Sequence, residues 1–290
     1  MWTLFEARQY SDFVNCMIAR LASQRTNLDP GQRGTDLYFL AIAAFACHDY
    51  QSATYFFDAA ATEDFNVPDT ENQPAHLFMR LDPSNPKQAA REIVLIIVQE
   101  LDRARDNYKR RPNPDQLSVD VVRDYFLRPL MMMRDKPERR TLATTFISFL
   151  AEWNYRLQMI ELSTAGSKEP FFTHLSRGCL LFESLLKENP NEPVTSKTSD
   201  LEALLRRLGK YLGIKGAIST SCSDFDALVR SLTDKQPMHS AIECTAQTRN
   251  MLSHSVVWPT DLNGRTYDLL VNNIASSCLH AISKLYVPLP

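Results

Sequence analysis

Apolar residues recur at intervals of three and four along almost the whole of this chain, and only 8 glycines interrupt them in 290 residues. That spacing lines the apolar side chains along one face of an α-helix, which completes a turn about every 3.6 residues. A strand would need strict alternation, and a hairpin would need turn residues such as Asn-Gly between two alternating runs. Asn263-Gly264 is the one such dipeptide, and helical patterns flank it on both sides. The expected fold class is all-α.

Helical spacing covers residues 2–22, 35–46, 51–63, 86–108 and 118–133, then 140–162, 171–188, 200–212, 224–232, 238–255 and 266–285. Two segments stop helices, Arg111-Pro112-Asn113-Pro114-Asp115 and Arg134-Asp135-Lys136-Pro137-Glu138. Proline lacks the N–H that a helix needs and clashes with the preceding turn. The second break sets an expected boundary between an N-terminal domain, 1–137, and a C-terminal domain, 138–290. Thr198-Ser199-Asp200 and Ser223-Asp224 supply side-chain oxygens suited to capping helix starts.

Within the first domain, Leu37, Leu40, Ala41 and Ala44, followed by Ala53, Phe57 and Ala60, resemble one tetratricopeptide (TPR) unit. Small alanines let two helices approach, and the larger Leu and Phe fill the space between units. The tryptophan, glycine and terminal proline of that pattern are not matched. The resemblance implies a TPR-like lobe with a regulatory or interaction role; an ordinary helical bundle is the equal alternative.

A hydrophobic fraction of 44%, a charged fraction of 23% and a net charge of -2 describe a globular protein that does not coat nucleic acid over its whole surface. A local phosphate-binding site remains open. Cys16, Cys47, Cys179, Cys222, Cys244 and Cys278 are scattered, with no Cys-x-x-Cys pair, so neither a disulfide framework nor a zinc signature is read. No metal and no cofactor are expected. The start, Met1-Trp2-Thr3-Leu4-Phe5-Glu6, lacks the basic flank and apolar run of a signal peptide. The most apolar stretch, Ile93-Val94-Leu95-Ile96-Ile97-Val98, is too short to span a bilayer. A cytoplasmic protein without membrane association is expected.

Chemistry concentrates in Arg249-Asn250-Met251-Leu252-Ser253-His254. Arginine stays protonated and holds phosphate oxygens with paired N–H groups. Histidine exchanges a proton near neutral pH. A bare Arg-x4-His spacing recurs by chance, and the asparagine directly after the arginine is what narrows it. The other histidines, His48, His76, His174, His239 and His280, have no ligand spacing and read as structural or surface residues. Basic clusters at Lys109-Arg110-Arg111, at Arg134, Lys136, Arg139 and Arg140, and at Arg206, Arg207 and Lys210 read as solvated faces. A Gly-x-Ser-x-Gly elbow and a Gly-rich phosphate loop are both missing, which argues against a serine hydrolase and against an ATPase or kinase.

Arg249-Asn250-x-x-x-His254 resembles the Arg-x(4–6)-His motif of HEPN (higher eukaryotes and prokaryotes nucleotide-binding) domains, and the likeness extends over roughly residues 140–290. Gly178-Cys179-Leu180-Leu181-Phe182-Glu183-Ser184-Leu185-Leu186-Lys187 is similar to an early helix of that family bearing a polar residue toward the site. A long closing helix runs through Tyr267, Leu270, Ile274, Leu279 and Ile282.

The resemblance implies a helical bundle and a metal-independent endoribonuclease acting in antiviral defence or as a toxin. Arg249, His254 and Asn250 are the implied catalytic residues, with Glu183 and Ser253 in support. His254 would move the proton of the 2′-hydroxyl and Arg249 would neutralise the phosphate, leaving a 2′,3′-cyclic phosphate end. Residues five apart on a helix differ by about 140° and about 7.5 Å, so two copies facing each other make a better site than one. RNA substrate, a homodimer with a composite cleft, and a protein partner or antitoxin on the N-terminal lobe are the implied partners.

Two other readings stay open. Arg249 could pair with Glu243 or another acid while His254 caps its helix. Alternatively, a non-catalytic HEPN-like module would bind nucleotide, RNA or protein.

Overall fold

The computed structural model describes residues 1–23, 33–85, 88–112, 114–163, 165–190, 200–222, 224–233, 235–254 and 262–288. The chain is all-helical, with no strand among the described residues. Thr198, Ser199 and Ser223, expected at helix caps, lie outside the described residues, as does Ser255. Two compact units form, each from two chain segments. One comprises Met1–Val98 with Leu127–Ala151, the other Gln99–Phe126 with Glu152–Pro290. The expected boundary at 137/138 falls inside the first unit. Contacts between distant segments define the units, whereas proline breaks mark only local helix ends.

The first unit contains α1 (Trp2–Glu6), α2 (Tyr10–Ser23), α3 (Gly34–Ala46), α4 (Tyr50–Glu63) and α5 (Pro74–Met79). It also holds the start of α6 (Arg91–Lys109). The helix expected over 2–22 is two helices, because Arg8 turns left-handed at φ 58°. The amide of Gln9 then donates to the carbonyl of Leu4 at 2.8 Å, closing the end of α1. The turn lets Trp2 and Phe5 meet Phe13 and Phe39, with ring centroids 5.0–5.7 Å apart.

In the hairpin of α3 and α4, Leu40, Ala41, Ala44, Ala53, Phe57 and Ala60 are all buried. Leu37, the remaining residue of that spacing, is half-buried. Phe57 stacks on Phe78 of α5 at 3.4 Å. The expected helix over 118–133 forms as α7 (Val119–Val122), a π-helical turn over Arg123–Leu127, and α8 (Arg128–Met131). Pro129 cannot donate to a carbonyl four residues back, and a π turn just before it absorbs the mismatch.

The second unit centres on α14 (Gly264–Leu285), which packs with α10 (Glu169–Lys187) and α13 (Met238–His254). The end of α9 (Arg140–Leu162) belongs here too, with two short helices, α11 (Leu201–Leu208) and α12 (Phe225–Ser231). Asp200 and Asp224 cap these short helices, accepting from the amides of Glu202 at 3.1 Å and Ala227 at 3.0 Å. From Leu270 to Ile282 every residue of α14 is buried, so the helix has no solvent face over that stretch. Its polar side chains are bonded internally: Ser277 meets Thr245 of α13 at 2.9 Å, and Tyr267 meets His174 of α10 at 2.7 Å. Among the described residues no helix is long and apolar enough to cross a membrane.

Three helices, α1, α3 and α5, end on non-glycine residues in left-handed conformation: Arg8, His48 and Leu81. Each turn closes with an amide-to-carbonyl bond five residues back. Such a residue carries about 1–2 kcal/mol of strain that glycine escapes, offset by glycine's larger entropy loss. Arg8 is exposed, so Arg8→Gly should stabilise the protein by about 0.5–1 kcal/mol in urea unfolding. Leu81 is fully buried, and Leu81→Gly should instead cost about 2–4 kcal/mol through lost packing.

Candidate active site

Glu183 lies on the buried face of α10, beside Cys179, Phe182 and Leu186. Packing of α10 against α13 brings it to Arg249, whose Nε donates to Glu183 Oε2 at 2.8 Å. Lys187, one turn further along α10, donates to the other oxygen, Oε1, at 2.6 Å. The Glu183 side chain is 4% exposed. Its two cations keep more water, with side-chain exposures of 29% for Arg249 and 34% for Lys187. Burying the acid is costly, and two charge-assisted bonds on separate oxygens offset that cost.

Arg249 uses one edge of its guanidinium for this clamp. Its Nη1 donates to Asn250 Oδ1 at 3.2 Å. Nη2 has no partner among the described residues, so the outer end of the fork is available to an anion. Asn250 is committed on both sides of its amide, since Nδ2 donates to the carbonyl of Thr220 at 2.7 Å. It orients Arg249 and fastens the segment before α12.

Two more side chains join that fastening. Glu243 accepts from the amide of Ser219 at 3.1 Å, and Gln247 donates to the carbonyl of Ser219 at 3.3 Å. Glu243, Gln247 and Asn250 are spaced four and three apart, which sets them on one stripe of α13. Of the open reading that Arg249 pairs with Glu243 or another acid, the partner is another acid, Glu183, on another helix.

The structure thus brings together Arg249, Asn250 and Glu183. Ser253 is exposed, and its hydroxyl donates to the carbonyl of Asn250 at 2.7 Å, a local helical bond that does not reach Arg249. His254 is the last residue of α13, and its side chain lies outside what is described.

Sequence reasoning passed over Lys187 and the 219–220 strap. Lys187 was detectable as the i+4 partner of Glu183. The strap has no periodicity to announce it. Beneath the clamp, Cys179, Cys244 and Cys278 are buried thiols, and burial pushes each well above the usual thiol range. They are packing groups, not nucleophiles. Among the described residues no three His, Cys, Asp or Glu side chains gather to hold a metal ion.

Compared with family models, curated proteins and solved structures, the chain matches none.

Glu183→Gln keeps the shape of the side chain and removes the charge that both cations face. The expected loss is about 1–3 kcal/mol in chemical unfolding, the smaller end reflecting the water that Arg249 and Lys187 retain. A loss below about 0.5 kcal/mol would mean that the clamp does not stabilise the α10–α13 packing.

Proposed function

We propose that the protein is a metal-independent endoribonuclease of HEPN type, its second half a HEPN-like bundle and its first a TPR-like lobe that restrains the nuclease or binds a partner. The observation that carries this reading is the held arginine. Glu183 and Asn250 fix Arg249 at the rim of the α10–α13 pair and leave an outer guanidinium nitrogen without a partner among the described residues. A fixed cation with an open donor suits a phosphate that gains negative charge during reaction, because no reorganisation is then needed.

In the proposed step the 2′-oxygen of the RNA attacks the adjacent phosphorus as the bond from phosphorus to the 5′-oxygen breaks. His254 takes the 2′-hydroxyl proton, and the leaving 5′-oxygen gains one. A homodimer would present two copies of His254, one as base and one as acid, with an Arg249 from each copy at the phosphate. Asn250 and Glu183 act as positioning residues for Arg249, and Ser253 stays at the margin. Action in antiviral defence or as a toxin, with an antitoxin or other protein on the first lobe, follows from the HEPN resemblance alone.

A second reading rests on the same clamp. Glu183 and Lys187 satisfy one another and Arg249 without any reaction, as an interhelical tie needs, so a non-catalytic module binding RNA, nucleotide or protein is the competitor.

RNA incubated with the purified chain and EDTA separates the two. The wild type should cleave and leave 2′,3′-cyclic phosphate ends, and Arg249→Ala and His254→Ala should each slow cleavage by about 10²–10⁴-fold. RNA that survives equally with wild type and both variants would refute the nuclease.

A further inference from the structure

The second unit holds another polar recess, and none of the residues lining it belongs to the Arg249 cluster. It encloses about 570 Å³ between two helical stripes. Arg103 and Asn107 line it from α6 and Arg110 from the turn directly after that helix; Arg265, Asp268 and Asn272 line it from α14.

These charges divide into committed and open ones. Arg103 donates to Asp268 at 2.6 Å, lies 3.5 Å from Glu100, and covers the Trp153 ring at 4.4 Å. Asp268 also accepts from Trp153 Nε1 at 2.9 Å. Arg103 and Asp268 are thereby spent on one another and on the wall. Among the described residues the Arg110 side chain bonds only Asn107 Oδ1, at a long 3.5 Å, and that of Arg265 has no partner. Two guanidiniums therefore face the recess with their charge uncommitted.

A third donor lines the recess and is of another kind. Asn272 is 4% exposed, and among the described residues the one bond of its side chain is as acceptor from Ser276 Oγ at a long 3.4 Å. Its NH₂ group bonds no atom among the described residues. The residue lines the recess, so its NH₂ group is a donor that a ligand oxygen there can meet.

We propose that this recess binds a small phosphate-bearing molecule, of mononucleotide size or less, on Arg110, Arg265 and Asn272. Two planar forks and an amide offer several N–H donors to a group rich in oxygens, which is the chemistry of a phosphate. The volume is that of a small-molecule site, so a longer RNA strand would overrun it. The recess is independent of the nuclease reading, since neither Arg249 nor His254 lines it.

Calorimetric titration of the full chain with inorganic pyrophosphate, with adenosine monophosphate and with a short 2′-deoxy oligonucleotide tests this, with Trp153 fluorescence as a second readout. Saturable binding of pyrophosphate or the mononucleotide is expected, weakening as salt is raised. Arg110 and Arg265 are both exposed, so Arg110→Ala/Arg265→Ala should leave the fold intact. That variant should bind at least about tenfold more weakly, the size of one lost charge-assisted bond. Arg249→Ala should bind as the wild type does.

Lack of saturation by both small probes would overturn the proposal. So would equal binding by the double variant, loss of binding in Arg249→Ala, or saturation by the oligonucleotide alone.

Discussion

A helix buried on every side has nowhere to hide a polar group except against a partner, and that constraint on α14 organises the second unit. Its Asn273, Ser277 and His280 cannot face water, so the surrounding elements must supply bonds as well as contact. Arg111 donates to Asn273 Oδ1 at 3.1 Å. His280 binds the Leu212 carbonyl at 2.8 Å through Nε2 and the Tyr108 hydroxyl at 3.1 Å through Nδ1. Nε2 donates to the Leu212 carbonyl, and burial depresses the affinity of this ring for a second proton. Sliding α13 or α10 by one turn along α14 would break the Ser277–Thr245 and Tyr267–His174 bonds. The register that keeps them is the one that delivers Arg249 to Glu183.

The long elements were legible because periodicity is a property of many residues at once. Residues 140–162 and 266–285 were expected as helices, and α9 and α14 occupy them nearly end to end. Single-residue events were not legible. Nothing in the local pattern marks Arg8 as a left-handed residue, and the π turn before Pro129 relieves a clash that the sequence announces only as a helix breaker. The assembly of each unit from two chain segments depends on contacts between residues far apart in the chain, to which spacing is blind. The candidate site was half legible for the same reason. Arg249, Asn250 and Glu183 carry recognisable chemistry, but the 66-residue separation of Glu183 from Arg249 hides their pairing until the helices pack.

In the Glu183 clamp the carboxylate turns inward while its two cations keep water. Glu183 takes bonds from Arg249 and Lys187, and Asp268 from Arg103 and Trp153. An ionised carboxylate only accepts, so its neighbours must satisfy all of it before burial is tolerable. A guanidinium has donors on two edges and can close one on protein while the other meets water or a ligand. This asymmetry lets a chain of net charge -2 carry localised positive sites without a basic surface.

The strap over α13 carries a further consequence. Glu243, Gln247 and Asn250 grip the amide of Ser219 and the carbonyls of Ser219 and Thr220, main-chain atoms that almost any residue would provide. The helix therefore reads the path of that segment and not its side chains. Drift in the identities of residues 219 and 220 leaves the grip intact, whereas a change at any of its three holders releases the segment and, at Asn250, frees the arginine as well.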